Sequence, residues 1–302
     1  MTKAGISTVI VSAVVVLIAI IVGMVMLLRP GQSMGPELID STFVQDILGN
    51  NTVKADTPEN GTAGSIQIGN NVTQLTAEAD DGYVFAYWQV NAGSTSNAGL
   101  KLCADEVIRV DSSRADEFVP VFVAEANVID IDGLTDPIFK QHIDNNLTAG
   151  KIYNVTQDTM INGGMQPFGK FCGILRGNGH KVYGVDIMVD DSTQNAGLFG
   201  ELFGAVICDI TIASGSVESS GGNVGTLAGT MRDSLISRSV SKIAVTNTNA
   251  MGVAGGLVGR AEGLNMIYCS EFAGSIIGHT KGGIIGVDSN VKLYKNAYKG
   301  AL

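Results

Sequence analysis

Four side chains able to do acid–base chemistry stand within a dozen positions of one another: His180, Asp186, Asp190 and Asp191. Clustered carboxylates beside an imidazole are what cleavage of a polysaccharide uses, because one carboxyl must protonate the leaving oxygen while another acts across the bond. Asp190 and Asp191, however, fall in the polar stretch VDDSTQN, where a turn already calls for Asp. No second carboxylate cluster follows to complete the pair. A second acidic run, DIDGLTD at 130–136, offers the oxygens of Asp130, Asp132 and Asp136 to calcium, but lacks the spacing and terminal Glu of an EF-hand loop. A turn capping the following domain is expected there. The three histidines are scattered, and none pairs with a Ser or Cys nucleophile. We therefore expect no catalytic, cofactor-binding or metal-ligating residue and no cofactor, with a polysaccharide-acting enzyme as the alternative that Asp190 and Asp191 would carry.

Whatever positions these groups is built mainly from strands. The chain has 302 residues, 45% hydrophobic and 16% charged, with 39 glycines and 6 prolines, a composition of short strands and tight turns. The net charge of −10 is uneven. Residues 31–200 hold 22 acidic against 9 basic side chains and residues 201–302 hold 7 against 8. No basic stripe offers phosphates a partner, so nucleic acid is excluded. Cys103, Cys172, Cys208 and Cys269 show no CxxC or metal-ligand spacing and read as small buried hydrophobes, and a Cys208–Cys269 disulfide is not expected.

Residues 6–28 are uncharged throughout, between Lys3 and Arg29. At about 1.5 Å per residue such a helix crosses a hydrocarbon core of about 30 Å. Residues 1–29 are thus read as a transmembrane helix whose charge asymmetry, though weak, leaves the bulk of the chain outside the cytoplasm. The start, MTKAGISTVIV, also resembles archaeal-type pilins, which are cleaved after a short leader; the cut would fall after Ala4 or Gly5. Bacterial pilins carry Glu at the fifth mature position, where this chain has Ile10 after a cut at Gly5. Residues 30–50, with Pro30 and Pro36, suit a stalk or linker containing at most a helical turn.

Residues 51–124 read as a small β module. Alternation through Val72, Gln74 and Thr76 against Leu75, Ala77 and Ala79, a turn at Asp80–Gly82, and aromatics at Tyr83, Phe85 and Tyr87 predict a hairpin, with EFVPVFV at 117–123 as a closing strand. Gly82-Tyr83-Val84-Phe85-Ala86-Tyr87-Trp88 resembles the internalin-type divergent B repeat of surface proteins. The resemblance implies that Trp88 is core and that the module does no catalysis. Residues 125–150 are a linker or cap.

From 151 to 302 the chain repeats. NAGLFG, VGTLAG, AGGLVG and KGGIIG end on Gly200, Gly229, Gly259 and Gly286; seven residues on stand Ile207, Ile236, Met266 and Leu293, and ten on stand Ile210, Ser239, Cys269 and Asn296. The intervening segments are rich in Ile, Val, Thr and Ser with two-residue alternation, which selects a parallel β-solenoid over helical repeats. Leu198, Leu227, Leu257 and Ile284 are placed in its interior. The units resemble GLUG-type repeats, the third, AGGLVGRAEGLNMIYCS, most fully, while the second has Thr226 in place of a Gly; KIYNVTQD and PFGKFCGILRGNGHKVYGVDI upstream resemble the opening coil of such domains. That resemblance implies a right-handed β-helix displayed outside the cell, often in adhesins.

The expected protein is mainly β: a single transmembrane helix, a small β module and a C-terminal β-solenoid, acting as a non-enzymatic structural or adhesive surface protein. Its partners would be the membrane, through residues 6–28, and an extracellular polysaccharide or protein. A pilin-like filament subunit, with its helix in the filament core, and a membrane-anchored virion protein are the alternatives. Five sequons, Asn50, Asn60, Asn71, Asn146 and Asn154, precede the repeats, a number that chance alone supplies.

Overall fold

The computed structural model describes residues 38–48, 57–90, 97–191 and 193–301. The expected membrane helix, its pilin-like start and Asn50 lie outside them. Among the described residues no helix is long and apolar enough to cross a membrane.

The repeats form a parallel β-solenoid. Five walls are present among the described residues, with seven, six, five, four and three strands. In the five-stranded wall Phe199, Ala228, Val258 and Ile285 stack in register, so Gly200, Gly229, Gly259 and Gly286 form the ladder their spacing predicts. Leu198, Leu227 and Leu257 are fully buried, and Ile284, in the last complete coil, is partly buried against the same core. Full burial of each such side chain is worth about 1.5–3 kcal/mol, which no coil could collect alone.

The seven-stranded wall runs from Val128–Ile131 through Ile152–Val155, Ile174–Arg176, Val206–Cys208, Leu235–Ser237 and Asn265–Tyr268 to Val291–Tyr294. With Ser41–Leu48 as the first helix, α1, the 125–150 segment already contributes a strand, Val128–Ile131, and then a second helix, α2, Pro137–Asp144. Phe139 and Ile143 of α2 are buried against the first coils and close that end of the core.

Three expectations are corrected. The first is the hairpin at 72–90. Val72–Ala79 pairs instead with Gly61–Gly69 and Val107–Asp111, whereas Tyr83–Val90 pairs with Lys101–Cys103 and Phe118–Ala124. The Asp80–Gly82 stretch is a corner between two sheets. Alternating strands bury one face each, and two sheets packed face to face bury both, which a lone hairpin cannot do. The closing strand forms as expected.

The second is register in the third repeat. Ile207 and Ile236 stack on Ile267, with Met266 beside Leu235. The turn at Gly263, φ +80°, carries one extra residue, and Asn265 uses it to accept a hydrogen bond from the Ser234 amide at 3.0 Å. The ten-residue ladder shifts likewise, so that Ser239 meets Ser270, whose hydroxyl accepts from the Ser239 amide at 3.1 Å.

The third is the order along the molecule. The β module does not precede the solenoid as a separate link; it lies along the outer face of the seven-stranded wall. Ile152, Ile174, Val206, Leu235 and Met266 share one core with Trp88, Leu100, Leu102 and Phe118, while their neighbours Tyr153, Leu175, Ile207, Ile236 and Ile267 fill the solenoid interior. Strands such as VIC and LIS place apolar residues at adjacent positions because both faces are buried. The expected stalk joins this core too: α1, Ser41–Leu48, buries Phe43, Val44, Ile47 and Leu48.

Candidate functional site

The residues singled out for chemistry are dispersed by the fold. His180 Nδ1 lies 3.1 Å from Asp158 Oδ1 on the six-stranded side. The Lys181 backbone N–H, and then the His180 ring, hold the Asp158 carboxyl below the usual carboxylate range. Asp186 stands on the outer face of Val185–Val189, paired with Ser216 of the next coil. Asp191 Oδ1 accepts from the Thr193 amide at 2.8 Å and hydroxyl at 2.7 Å, which closes the turn and lowers its pKa. Asp190 contributes its backbone carbonyl to Ser220. The structure thus brings His180 to Asp158, and none of the three aspartates to His180.

The 130–136 run builds a turn. Asp136 caps α2, accepting from the Ile138 amide at 2.8 Å and the Asp132 amide at 3.1 Å. Asp132 accepts from Thr156 Oγ1 and Asp130 from Asn154 Nδ2, both at 3.1 Å. Gly133 has φ +93°, and a Cβ there would meet Thr159 Oγ1 at 2.3 Å, so only glycine fits. These three carboxylates hold α2 over the end of the core.

None of the four cysteines forms a disulfide among the described residues. Burial raises Cys103 strongly and pushes Cys208 up to about 12. Trp88 is fully buried, its Nε1 donating to the Asp105 carbonyl at 2.9 Å, in keeping with a core role.

The most organised polar cluster was not anticipated. It lies where the module meets the solenoid. Asp209, Arg238, Cys269 and Lys295 occupy successive coils at the bend out of the seven-stranded wall, all with left-handed backbone, φ +45° to +55°. Such residues cost about 1–3 kcal/mol each where they are not glycine. Arg238 spans the bend: its Nε and Nη2 reach the Asp209 carboxylate at 3.0 and 2.6 Å, and its Nη1 contacts Asp105 of the module. Arg176, two coils earlier in the stack, donates to the Phe85 carbonyl, and Lys101 Nζ donates to the Asp233 carbonyl at 2.8 Å. Burial lowers the Lys101 pKa. Arginine at the end of the strand Ile174–Arg176 and just after the strand Leu235–Ser237 was the only signal, and the module residues they reach, Phe85 and Asp105, lie more than 90 positions away.

Among the described residues the module's shared core takes in the seven-stranded wall and no other wall. On the five-stranded wall Lys170, Glu201, Thr230, Arg260 and Val287 form one ladder; Lys170 lies 3.7 Å from Glu201 and 3.8 Å from the centre of the Phe203 ring. On the four-stranded wall Met188, Glu218, Thr246 and Ile277 form another, with Met188 and Ile277 more than half exposed. These mixed ladders define a class of protein, a parallel β-solenoid braced along one wall by an antiparallel β module. Compared with known proteins, the chain matches no family model, no curated protein and no solved structure. The GLUG, B-repeat and pilin likenesses thus rest on the quoted residues alone.

Proposed function

We propose that this chain is a membrane-anchored surface protein with a structural or adhesive role, held by residues 6–28 and presenting the outer walls of its solenoid to an extracellular polysaccharide or protein. The observation that supports it is the division of labour among the walls. One wall is consumed by the brace, while the ladders through Glu201 and Glu218 remain open, at fixed coil spacing, along the length of the stack. About 4.8 Å separates neighbouring coils, so these ladders are rigid arrays suited to a repeating partner. Of the carboxylates that would favour a catalytic reading, Asp191 closes a turn and neither it nor Asp186 or Asp190 meets His180, which supports a non-enzymatic role.

The test is an epitope inserted beside Met251, a loop residue 92% exposed. In intact cells the reading expects antibody access and membrane fractionation of the full chain. Access only after permeabilisation overturns it. A polysaccharide-degrading activity lost in Asp190→Asn and Asp191→Asn would replace it with the enzyme alternative.

A further inference from the structure

Gly61–Gly69, Val72–Ala79 and Val107–Asp111 form an antiparallel sheet with one face in the core: Thr73, Leu75, Ile108 and Val110 are buried. Its other face carries a row that crosses every strand. Ile66 opposes Gln74, Gln74 opposes Arg109, and Arg109 bridges to Leu38. Directly opposed residues share a face. Ile66 is 64% exposed, Ile68 two positions on 47%, and Leu38 43%. Between them the Nε of Arg109 is buried without a hydrogen-bond partner among the described residues.

Leu38 is also where the chain enters the described structure. Only nine residues, 29–37, separate it from the apolar run 6–28. At about 3.3–3.6 Å each they reach about 30 Å at most. A surface that includes Leu38 is therefore kept close to any bilayer that holds residues 6–28. Exposed Ile, Ile and Leu around a half-buried Arg that has no carboxylate partner among the described residues are the complement of a phospholipid surface, where acyl chains take apolar side chains and phosphate oxygens take guanidinium N–H groups.

We propose that this face, Ile66, Ile68, Arg109 and Leu38, rests on the headgroup layer of the anchoring membrane and fixes the solenoid's orientation to it. The inference rests on the anchored reading and adds a second, lateral contact to it.

The test uses the full chain produced in cells with Ile66, or in a parallel sample Ile68, replaced by photoreactive p-benzoylphenylalanine, and Met251 replaced in a control. Isolated membranes are irradiated and the products are read by mass spectrometry. Phospholipid adducts at 66 and 68 but not at 251 are expected. In vesicles of phosphatidylcholine with phosphatidylglycerol, Arg109→Gln should lower the adduct yield about fivefold, the effect of one basic residue near an anionic surface. Chain found in membranes without lipid adducts at 66 and 68 overturns the docking while leaving the anchor intact. Adducts to a second copy of the chain overturn it in favour of self-association. Absence of the chain from membranes defeats both readings.

Discussion

The Tyr294 hydroxyl donates to the Leu38 carbonyl at 2.8 Å, joining the first described residue to the last strand of the seven-stranded wall. It also accepts from the Asp40 amide at 3.1 Å, and its ring lies 4.4 Å from that of Phe43. Lys292 reaches Asp46 at 3.0 Å beside it. The beginning of the described fold is thus fastened to the outer face of the Val291–Tyr294 strand, with Phe43 and Asp46 of α1 packed on it.

Tyr294→Phe removes these hydrogen bonds and keeps the ring. A loss of about 1 kcal/mol is expected in urea unfolding. Tyr294→Ala should cost about 3–5 kcal/mol, because a packed aromatic is deleted as well. Equal effects of the two variants would show that the ring contributes nothing.

Acid should loosen the same fastening. The Phe43 backbone N–H, partly opposed by desolvation, and then the Tyr294 hydroxyl hold the Asp40 carboxyl below its ordinary 3.8. A carboxyl depressed in the folded state stabilises fully above the unfolded value and loses that contribution as pH falls through the folded one. Asp40→Asn should therefore flatten the fall in stability below about pH 4, followed by thermal melting across pH 2–6. An unchanged profile would remove Asp40 from the account.

Arg238→Met leaves Asp209 and Asp105 without their cation at the brace. The pair is only partly buried, with the Arg238 side chain 32% exposed, so the expected cost is about 3 kcal/mol, the low end for a broken buried pair. Asp209→Ala in the same chain should restore part of it, and strictly additive losses would deny the coupling.

Thiol reactivity should divide the cysteines. Burial leaves Cys103 and Cys208 with little thiolate at pH 8. Alkylation of the native chain should spare both, and mass spectrometry after unfolding should find them modified. Native labelling at Cys208 would contradict its place inside the wall.

Gly256 and Thr226 occupy the same place in successive coils. A Cβ on Gly256 would meet the Gly283 backbone carbonyl at 2.1 Å and the Phe272 ring at 2.5 Å, and one on Gly283 in the next coil the Tyr298 ring at 2.8 Å. In the Thr226 coil the counterpart of Phe272 is Ser241, and Thr226 Oγ1 has room to donate to the Gly256 carbonyl at 2.7 Å. Gly256→Thr should cost about 1–3 kcal/mol or more through overpacking. Phe272→Ser alongside it relieves the ring contact but not the one with the Gly283 carbonyl, so thermal unfolding should find only a partial recovery relative to the two separate losses combined.

The departure of VGTLAG from the other repeats, a blemish in the sequence, coincides with Ser241 standing where the next two coils have Phe272 and Tyr298. The period of the repeats, their glycine ladder and the buried Leu198, Leu227 and Leu257 were legible from residue type and spacing, because each coil repeats one local problem and solves it alike. The β character of the module was legible from its two-residue alternation, and the core place of Trp88 from the resemblance of its motif. Strand partners were not: Val72–Ala79 carries a buried face that suits either neighbour, and only the packing of two sheets chooses between them. Nor could the sequence show that VIC and LIS are apolar on both faces because a module covers one, or that Asp191 and Asp136 close turns rather than meet His180. Those are contacts between residues far apart in the chain, decided by which apolar surfaces can be buried together and which polar groups are then left to be satisfied.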